Sequence, residues 1–595
     1  MAKKEKLPAW SLKDLYSGPE DKKIASDLKK ARSKVNLFEK RYKGDLKKLT
    51  STLEKFKLAL EEYEEIQLIA AKPVLFANLL FADSNLDPAR GAFMQKMRSQ
   101  YVEINSRTYF FELELVALPV AVRKRLLNAK TLANYHNYLD QLFKSADHRL
   151  TEAEERILSD KALTGWSAFT RLFDQESSAK YFDLKHAGKK KAVGLEKVLE
   201  GLHDPKRSIR KESARALSEG LEQESKRIAY VYNTLIQDKA ITDKYRKFER
   251  PEDSRHLANQ IDRKTVDVMV QEVQAGYKLV RDFYKLKKNI LGVRQLYDYD
   301  RYAPISKINK KIPWPKARSM VISSFSHLSL EFAELADQFF ENGWIDAAER
   351  RGKRGGAFCS FTTPDHHPYV FINYSGNLRD VFTLAHELGH AVHACLMRRQ
   401  TPLNFDVPLT LAETASTFGE MLLFDQMKKE IKSKEDLLAL TMGRIESTFA
   451  TVFRQVGMFL FERDMHDARK HGELSVEQIN KLWRNRQVEM FGNSVELGAG
   501  YDYWWSYIPH FIHTPFYVYA YAFGELLSLS LFKKWQQESG FAENYMRFLE
   551  HGNSKSPMQA LKELRVKPAS KEFWRGGVET ISDMVKEAKT LARQV

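Results

Sequence analysis

Apolar side chains recur every three or four positions along most of the chain, and this spacing predicts helices almost throughout. One series is Ile24, Leu28, Ala31, Val35 and Phe38. Residues at this spacing share one face of an α-helix, so the series predicts an amphipathic helix. A second series predicts another helix and comprises Leu46, Leu49, Leu53, Phe56, Leu60 and Tyr63. We therefore expect a mainly α fold.

Two segments depart from the helical pattern and predict short β-structure. Residues 181–184 and 191–195 flank a turn that contains Gly188, which favours a hairpin. Residues 357–362 and 369–373 are two further β-prone runs with a turn between them. The second pair lies directly before a helix, so we expect a small sheet beside that helix.

The chain carries a formal charge of +17, which raises the possibility of a nucleic-acid partner. Its lysines and arginines, however, are distributed along helical segments that also contain many acidic residues. The longest basic cluster is Lys189–Lys191, and no nucleic-acid-binding motif accompanies it. A solvated helical surface explains this distribution, and we expect no nucleic-acid partner.

The N-terminal segment and the cysteine content predict the compartment. The basic start of the chain is interrupted by Pro8, Lys13 and Asp14 before any apolar segment of a signal peptide could form. We find no run of roughly 18 apolar residues that could span a bilayer. Only Cys359 and Cys395 are present, which suits a reducing compartment. We expect a cytoplasmic protein without a membrane partner, and the sequence leaves the oligomeric state open.

The segment TLAHELGHAVHACL, residues 383–396, concentrates residues that can bind a metal. His386 and His390 are four positions apart, so on a helix their imidazoles project from one face and can share a cation. Glu387 lies beside them, where a carboxylate can reach a water molecule next to the metal. This is the HExxH pattern of zinc hydrolases, with Glu387 as the candidate general base.

A catalytic zinc site needs a third protein ligand. The metzincin pattern would require glycine and histidine where this chain has His393 and Leu396, so that class is excluded. Glu413, 23 residues after His390, is the best candidate because it lies in a later helical segment. Glu420 could orient a ligand histidine or lie on the helix surface, and we interpret His393 as a packed neighbour rather than a ligand.

These motifs resemble those of the oligoendopeptidase F and thimet oligopeptidase superfamily of zinc peptidases. The resemblance rests on HELGH followed by ETAS, and on the segments LPAWSLKDLYSG and IPHFIHTPFYVYAYAFGELL, so it spans nearly the whole chain. It implies a large, mainly helical, clam-like body around a deep channel, with a small β-sheet next to the zinc-binding helix. We expect an N-terminal helical domain in residues 1–200, which ends in the hairpin, and a catalytic domain in residues 201–595.

The resemblance also implies a function, that of a zinc metalloendopeptidase that hydrolyses internal bonds of short, unstructured peptides. It implies one Zn²⁺ per chain, bound by His386, His390 and Glu413, and short peptides as substrates. It further implies that a histidine and a tyrosine of residues 508–527 stabilise the oxyanion that forms during peptide hydrolysis. We assign this role to three residues whose spacing would align them on a helix: His510, Tyr517 and Tyr521. The strand predicted near residues 356–360 could pair with an extended peptide.

Two alternatives remain open from the sequence. A zinc carboxypeptidase could use the same ligands but would release single C-terminal residues. A non-catalytic helical binding protein is the second alternative, although Glu387 speaks against it because a binding protein needs no base beside the metal.

Overall fold

The computed structural model of the chain describes residues 7–186, 189–305 and 311–595. Helices make up most of these ranges, and the strands form two small sheets. The prediction of a mainly α fold with little sheet is therefore confirmed.

The helices of the described ranges are α1 (Lys22–Tyr42), α2 (Leu46–Leu49), α3 (Leu53–Asp83), α4 (Pro88–Ser106), α5 (Tyr109–Val116), α6 (Val120–Leu127), α7 (His136–Lys144), α8 (Glu152–Ala162), α9 (Trp166–Ala179), α10 (Leu195–Gly201), α11 (Arg207–Tyr245), α12 (Asp253–Ala258), α13 (Arg263–Ala275), α14 (Tyr277–Ile290), α15 (Trp314–Ser326), α16 (Leu330–Glu341), α17 (Leu378–Met397), α18 (Leu409–Ala412), α19 (Thr414–Glu430), α20 (Lys434–Thr451), α21 (Phe453–Arg469), α22 (Val476–Phe491), α23 (His510–His513), α24 (Tyr519–Gln537), α25 (Phe541–Glu550), α26 (Pro557–Glu563) and α27 (Lys571–Leu591). Short 3₁₀ turns occur at Lys130–Tyr135, Ser145–His148, Asp298–Asp300, Pro402–Asn404 and Ala499–Tyr507.

The chain forms two compact units, and each is assembled from separated stretches of sequence. The first unit contains residues 1–146, 309–429 and 534–567, and the second contains residues 147–308, 430–533 and 568–595. The boundary at residue 533 falls within α24. The predicted division into an N-terminal domain of residues 1–200 and a catalytic domain of residues 201–595 stays a prediction.

The first unit has a core built from the predicted amphipathic faces. All five apolar residues of the first predicted series are buried in α1, which packs against α3. The second series is split between α2 and α3, so the prediction of one continuous helix there is wrong. The reason is local: the hydroxyls of Thr50 and Ser51 donate to the carbonyls of Lys47 and Lys48 and compete with helix propagation.

One described helix, α3, is long and apolar enough to span a membrane by length and composition alone. No such segment was predicted from the sequence. Phe56, Leu60 and Phe76 of this helix are buried in the core of the first unit. Those contacts account for its apolar character as a packed core helix.

The predicted hairpin is present in the second unit as antiparallel strands β1 (Phe182–His186) and β2 (Lys189–Val193). Its predicted turn at Gly188 lies outside the described residues. In the first unit, β3 (Ile345–Asp346), β4 (Phe358–Ser360) and β5 (Tyr369–Phe371) form a sheet with β5 in the centre. Strands β4 and β5 are the predicted antiparallel pair, and both pack against α17. The short parallel strand β3 was not predicted.

Candidate active site

Helix α17 begins with a strong N-terminal cap and carries the HExxH segment. The side chain of Asn377 accepts the backbone N–H of Asp380, and the Asp380 carboxylate accepts the N–H of Asn377. This reciprocal pair satisfies two N–H groups that otherwise lack partners at a helix start. His386, Glu387 and His390 lie in the middle of this helix, where the backbone is rigid.

Three potential metal-binding atoms converge in the first unit. The Nε2 atom of His386 lies 3.3 Å from Oε2 of Glu413, and Nε2 of His390 lies 3.5 Å from the same oxygen. Ligand atoms about 2.0–2.1 Å from a tetrahedral zinc ion are separated by about 3.4 Å. The observed separations match that geometry, and two imidazoles with one carboxylate are a donor set typical of catalytic zinc. These residues therefore fit a zinc ion.

Glu413 does not lie within a helix, although the sequence predicted that it lies in a helical segment. It follows α18 and precedes α19, and its backbone angles of −82° and 1° interrupt the helix. The hydroxyl of Ser416 donates to Oε2 of Glu413 at 2.8 Å. This break, together with the Ser416 hydrogen bond, directs the carboxylate to the two histidines.

A close helix crossing brings Glu413 to α17. A Cβ atom added at Gly389 would lie 2.6 Å from the backbone oxygen of Ala415 and 2.6 Å from Cα of Ser416. No side chain larger than hydrogen fits there without moving the backbone. The glycine in HELGH therefore sets the distance between the helix that carries the two histidines and the segment that carries Glu413.

We expect Gly389→Ala to lower the free energy of unfolding by about 1–3 kcal/mol, because the new methyl group would overpack the crossing. A suitable control is Gly443→Ala in α20, since Gly443 is exposed and a Cβ there meets no atom within 4 Å. That change should stabilise the helix by roughly 0.5–1 kcal/mol. Denaturant unfolding of both variants measures the difference. Equal stability of the two variants would contradict the importance of the crossing.

Glu420 fixes the orientation of His386. Its Oε1 atom lies 2.6 Å from Nδ1 of His386, so this ring nitrogen donates to the carboxylate and Nε2 is left to face Glu413. Such a carboxylate partner defines the tautomer of a ligand histidine. The sequence left the role of Glu420 open. Its position seven residues after Glu413 does not show which histidine of α17 it contacts.

Hydrogen bonds between the acidic side chains and the imidazoles of this cluster shift the pKa values of His386 and Glu413. Burial lowers the pKa of His386, but hydrogen bonds with Glu413 and Glu420 outweigh burial and hold that pKa well above its usual value. Burial raises the pKa of Glu413, but the hydrogen bonds with His386 and His390 outweigh burial and hold that pKa well below its usual value. A histidine must be neutral to bind a metal ion, so metal affinity at this site is expected to rise with pH.

Glu387 and His393 differ in environment although both are buried on α17. Burial raises the pKa of the Glu387 carboxyl, and the nearby His386 and His390 partly oppose this effect. Burial lowers the pKa of His393 to about 3, so this imidazole stays neutral. The group of metal-binding atoms found in the described residues contains His386, His390 and Glu413 without His393.

His510, Tyr517 and Tyr521 lie together in the second unit, but not on one helix. His510 begins the short helix α23, Tyr517 lies in the loop after it, and Tyr521 lies in the first turn of α24. Nε2 of His510 is 3.3 Å from the hydroxyl of Tyr521, and the rings of Tyr517 and Tyr521 are 5.0 Å apart. The continuous helix implied by the spacing is wrong, because Pro515 and a left-handed residue separate two helices.

That left-handed residue is Phe516, with a φ of 58°. Its N–H donates to the buried carboxylate of Glu462 at 2.8 Å, and its ring packs against His466 of the same helix, α21. Burial raises the pKa of Glu462 to about 8. Sequence reasoning missed Glu462, although an acidic residue within the apolar run GMFLFER is a signal of a buried polar contact.

Comparison with known proteins places the chain in a family. The family described as "Peptidase family M3" matches residues 201–580, and one described as "Oligopeptidase F" matches residues 114–181. The first match covers more than half of the sequence. The chain belongs to peptidase family M3. Because this family consists of metallopeptidases, the predicted resemblance and the predicted enzyme class, a metalloendopeptidase, are confirmed, and the non-catalytic alternative is wrong.

Relatives of this M3 peptidase match over almost their entire length. An oligoendopeptidase F homologue from Lactococcus lactis subsp. lactis is 26% identical, with 99% of this chain and 98% of the relative covered. Oligopeptidase PepF from Bacillus subtilis is 24% identical over 98% of this chain and 87% of the relative.

Two solved structures share the fold of this M3 peptidase. A candidate peptidase from Chlamydophila abortus superimposes with a TM-score of 0.87 at 26% identity, with 98% of each chain covered. Oligoendopeptidase F from Enterococcus faecium gives a TM-score of 0.72 at 20% identity and covers 96% of this chain and 99% of that one.

Proposed function

We propose that this M3 peptidase is a zinc-dependent endopeptidase that hydrolyses internal bonds of short, unstructured peptides. The observation that carries the proposal is the convergence of His386, His390 and Glu413 with separations suited to tetrahedral zinc. The names of its relatives, oligoendopeptidase F and oligopeptidase PepF, support oligopeptides as the substrate class. The compartment is proposed to be the cytoplasm, as the cysteine content predicts.

The proposed reaction needs one base. His386, His390 and Glu413 would hold a zinc ion, which would supply Lewis-acid activation of water and of the scissile carbonyl. Glu387 removes the proton from the attacking water and then delivers it to the leaving amine, which balances the hydrolysis. Burial suits this role, since it raises the pKa of the Glu387 carboxyl and so favours uptake of a proton that is later returned.

Oxyanion stabilisation is proposed for the cluster of His510, Tyr517 and Tyr521. A phenol hydroxyl can donate a hydrogen bond to the negative charge that develops on the former carbonyl oxygen. The contact between His510 and Tyr521 restricts the rotation of that hydroxyl. Glu462 holds the turn at Phe516 that positions Tyr517.

Substrate backbone binding is proposed for β4. This strand lies at the edge of the three-stranded sheet, next to the helix that carries the histidines. An extended peptide can add to such an edge through backbone hydrogen bonds, which do not depend on side-chain identity. Loose sequence preference is the expected consequence.

The proposed function is tested by offering one cleavable segment both as a free peptide of about ten residues and within a denatured protein. We expect rapid, chelator-sensitive cleavage of the free peptide at internal bonds and little cleavage of the long chain, because the channel implied by the resemblance admits only short substrates. Mass spectrometry identifies the products. Release of single C-terminal residues would instead favour the carboxypeptidase alternative, and equal cleavage of both substrates would indicate a general metalloproteinase.

Tyr521→Phe should lower turnover by about 10- to 1000-fold with little change in peptide affinity, because the hydroxyl would act only on the developing oxyanion. Steady-state kinetics measure both quantities. Tyr503→Phe is the control, since the Tyr503 hydroxyl contacts Glu222 rather than the cluster. A Tyr521→Phe enzyme with normal turnover would remove this tyrosine from the mechanism.

A further inference from the structure

A pocket of about 460 Å³ lies in the second unit and reaches His510. Its wall is formed by parts of α9, α10, α11 and α21 together with residues 506–510. Arg454, Tyr507 and His510 line it side by side. The pocket therefore contains one residue of the proposed oxyanion cluster in its wall. No step of the proposed mechanism uses the pocket.

Arg454 is the unusual charge in this pocket. Its guanidinium donates to the hydroxyl of Tyr507 at 3.3 Å, and no carboxylate of the described residues lies within 4.0 Å of it. The side chain is half-buried at the start of α21, where it has lost part of its hydration. A partly desolvated guanidinium has five N–H donors and is costly without an anionic partner.

The acidic residues that line the pocket are engaged elsewhere or exposed. Asp174 accepts from His513 at 2.8 Å, and Glu224 pairs with Lys180 at 3.3 Å and with Arg227. A weaker pair at 3.5 Å joins Glu176 to Arg227, and Glu196 is solvent-exposed. None of these four carboxylates pairs with Arg454, so its guanidinium has no ion-pair partner among the described residues of the pocket.

The positive charge of Arg454 also affects the pKa of His510 in the neighbouring cluster. Burial lowers the pKa of His510, and the positive charge of Arg454 lowers it further. His510 lines the pocket and also contacts Tyr521 of the cluster, so a ligand in the pocket would lie next to the cluster.

We propose that this pocket is a substrate subsite in which Arg454 binds a carboxylate of the peptide. The inference rests on the proposed peptidase function and adds a preference in substrate charge to it. A guanidinium and a carboxylate form two parallel hydrogen bonds, a geometry that an amide cannot reproduce with equal strength. The carboxylate comes either from the peptide C-terminus or from an Asp or Glu side chain, since both present the same two oxygens.

The test compares matched peptides that differ in one carboxylate. One pair has a free or an amidated C-terminus, and a second pair carries glutamate or glutamine within an amidated sequence. Affinities are measured by fluorescence anisotropy with the Glu387→Gln protein, and kcat/KM is measured with the wild-type enzyme. We expect the acid form of one pair to bind about 10- to 100-fold more tightly than its neutral form, as for a charge-assisted hydrogen bond. The pair that shows the preference identifies the source of the carboxylate.

Arg454→Met should abolish this preference by weakening the acid form while the neutral peptide binds as before. Arg454→Lys should retain part of the preference, because the charge remains but the paired geometry is lost. Lys180→Met is the matched control, since this pocket cation already has Glu224 as a partner, and the preference should persist in it. Thermal unfolding establishes that each variant is folded.

An equal affinity of the acid and neutral peptides for the protein with Arg454 intact would overturn the subsite, as would an unchanged preference in both Arg454 variants. Failure of the peptidase function has a different signature, because the zinc-loaded wild-type enzyme would then cleave none of the four peptides. The binding measurement needs no cleavage, so it tests the subsite in either case.

Discussion

Glu387→Gln should lower turnover by about 10²- to 10⁴-fold while the protein keeps its fold and its zinc. Glutamine has nearly the same shape as glutamate but cannot accept the proton from the attacking water. The two proposed ligand histidines on α17 and the hydrogen bond from His386 to Glu420 are unchanged in this variant. Single-turnover hydrolysis of a short peptide, zinc analysis and thermal unfolding together measure the three quantities.

The control for this variant is Glu430→Gln, which changes an exposed glutamate at the end of α19 and should leave turnover unchanged. Loss of zinc from the Glu387 variant would mean that the carboxylate supports the metal rather than the chemistry. Near-normal turnover with zinc retained would require a different general base.

The second large effect is expected for Glu413→Ala, which should reduce the zinc content from about one ion per chain to a small fraction. The change removes the only carboxylate of the proposed ligand set, and two histidines alone bind zinc much more weakly. Activity should fall with the metal content. Metal analysis after dialysis against a weak chelator, followed by titration with zinc, measures the loss.

Two further variants serve as comparisons in this experiment. His393→Ala should keep the zinc, because His393 is buried outside the group of converging ligand atoms. Glu420→Gln should weaken zinc binding by about 10- to 100-fold, which is the usual cost of losing the carboxylate partner of a ligand histidine. Normal zinc content in Glu413→Ala would exclude Glu413 as the third ligand.

The local sequence determined the features that depend on one helix. His386 and His390 share a face because four residues make about one helical turn, and the cap formed by Asn377 and Asp380 at the start of that helix is likewise a local feature. The apolar series of α1 was predicted residue by residue for the same reason. Such patterns need no knowledge of distant parts of the chain.

Other features depended on contacts between distant segments. The break in the helix at Glu413 and the partnership of Glu420 with His386 depend on how closely α19 crosses α17, and Gly389 permits that approach. The cluster of His510 and Tyr521 is joined across a turn that Glu462 of α21 holds in a left-handed conformation.

The sequence therefore determined the fold class, the HExxH motif and its helix, because periodicity and spacing are properties of neighbouring residues. Tertiary structure alone decided which strands and helices form each compact unit, and that the helical segment around Glu413 is interrupted where α19 crosses α17. It also decided that Arg454 lacks a carboxylate partner among the described residues around its pocket. Packing and hydrogen bonds between segments far apart in the chain outweigh local helical preference at these positions, and no local pattern encodes them.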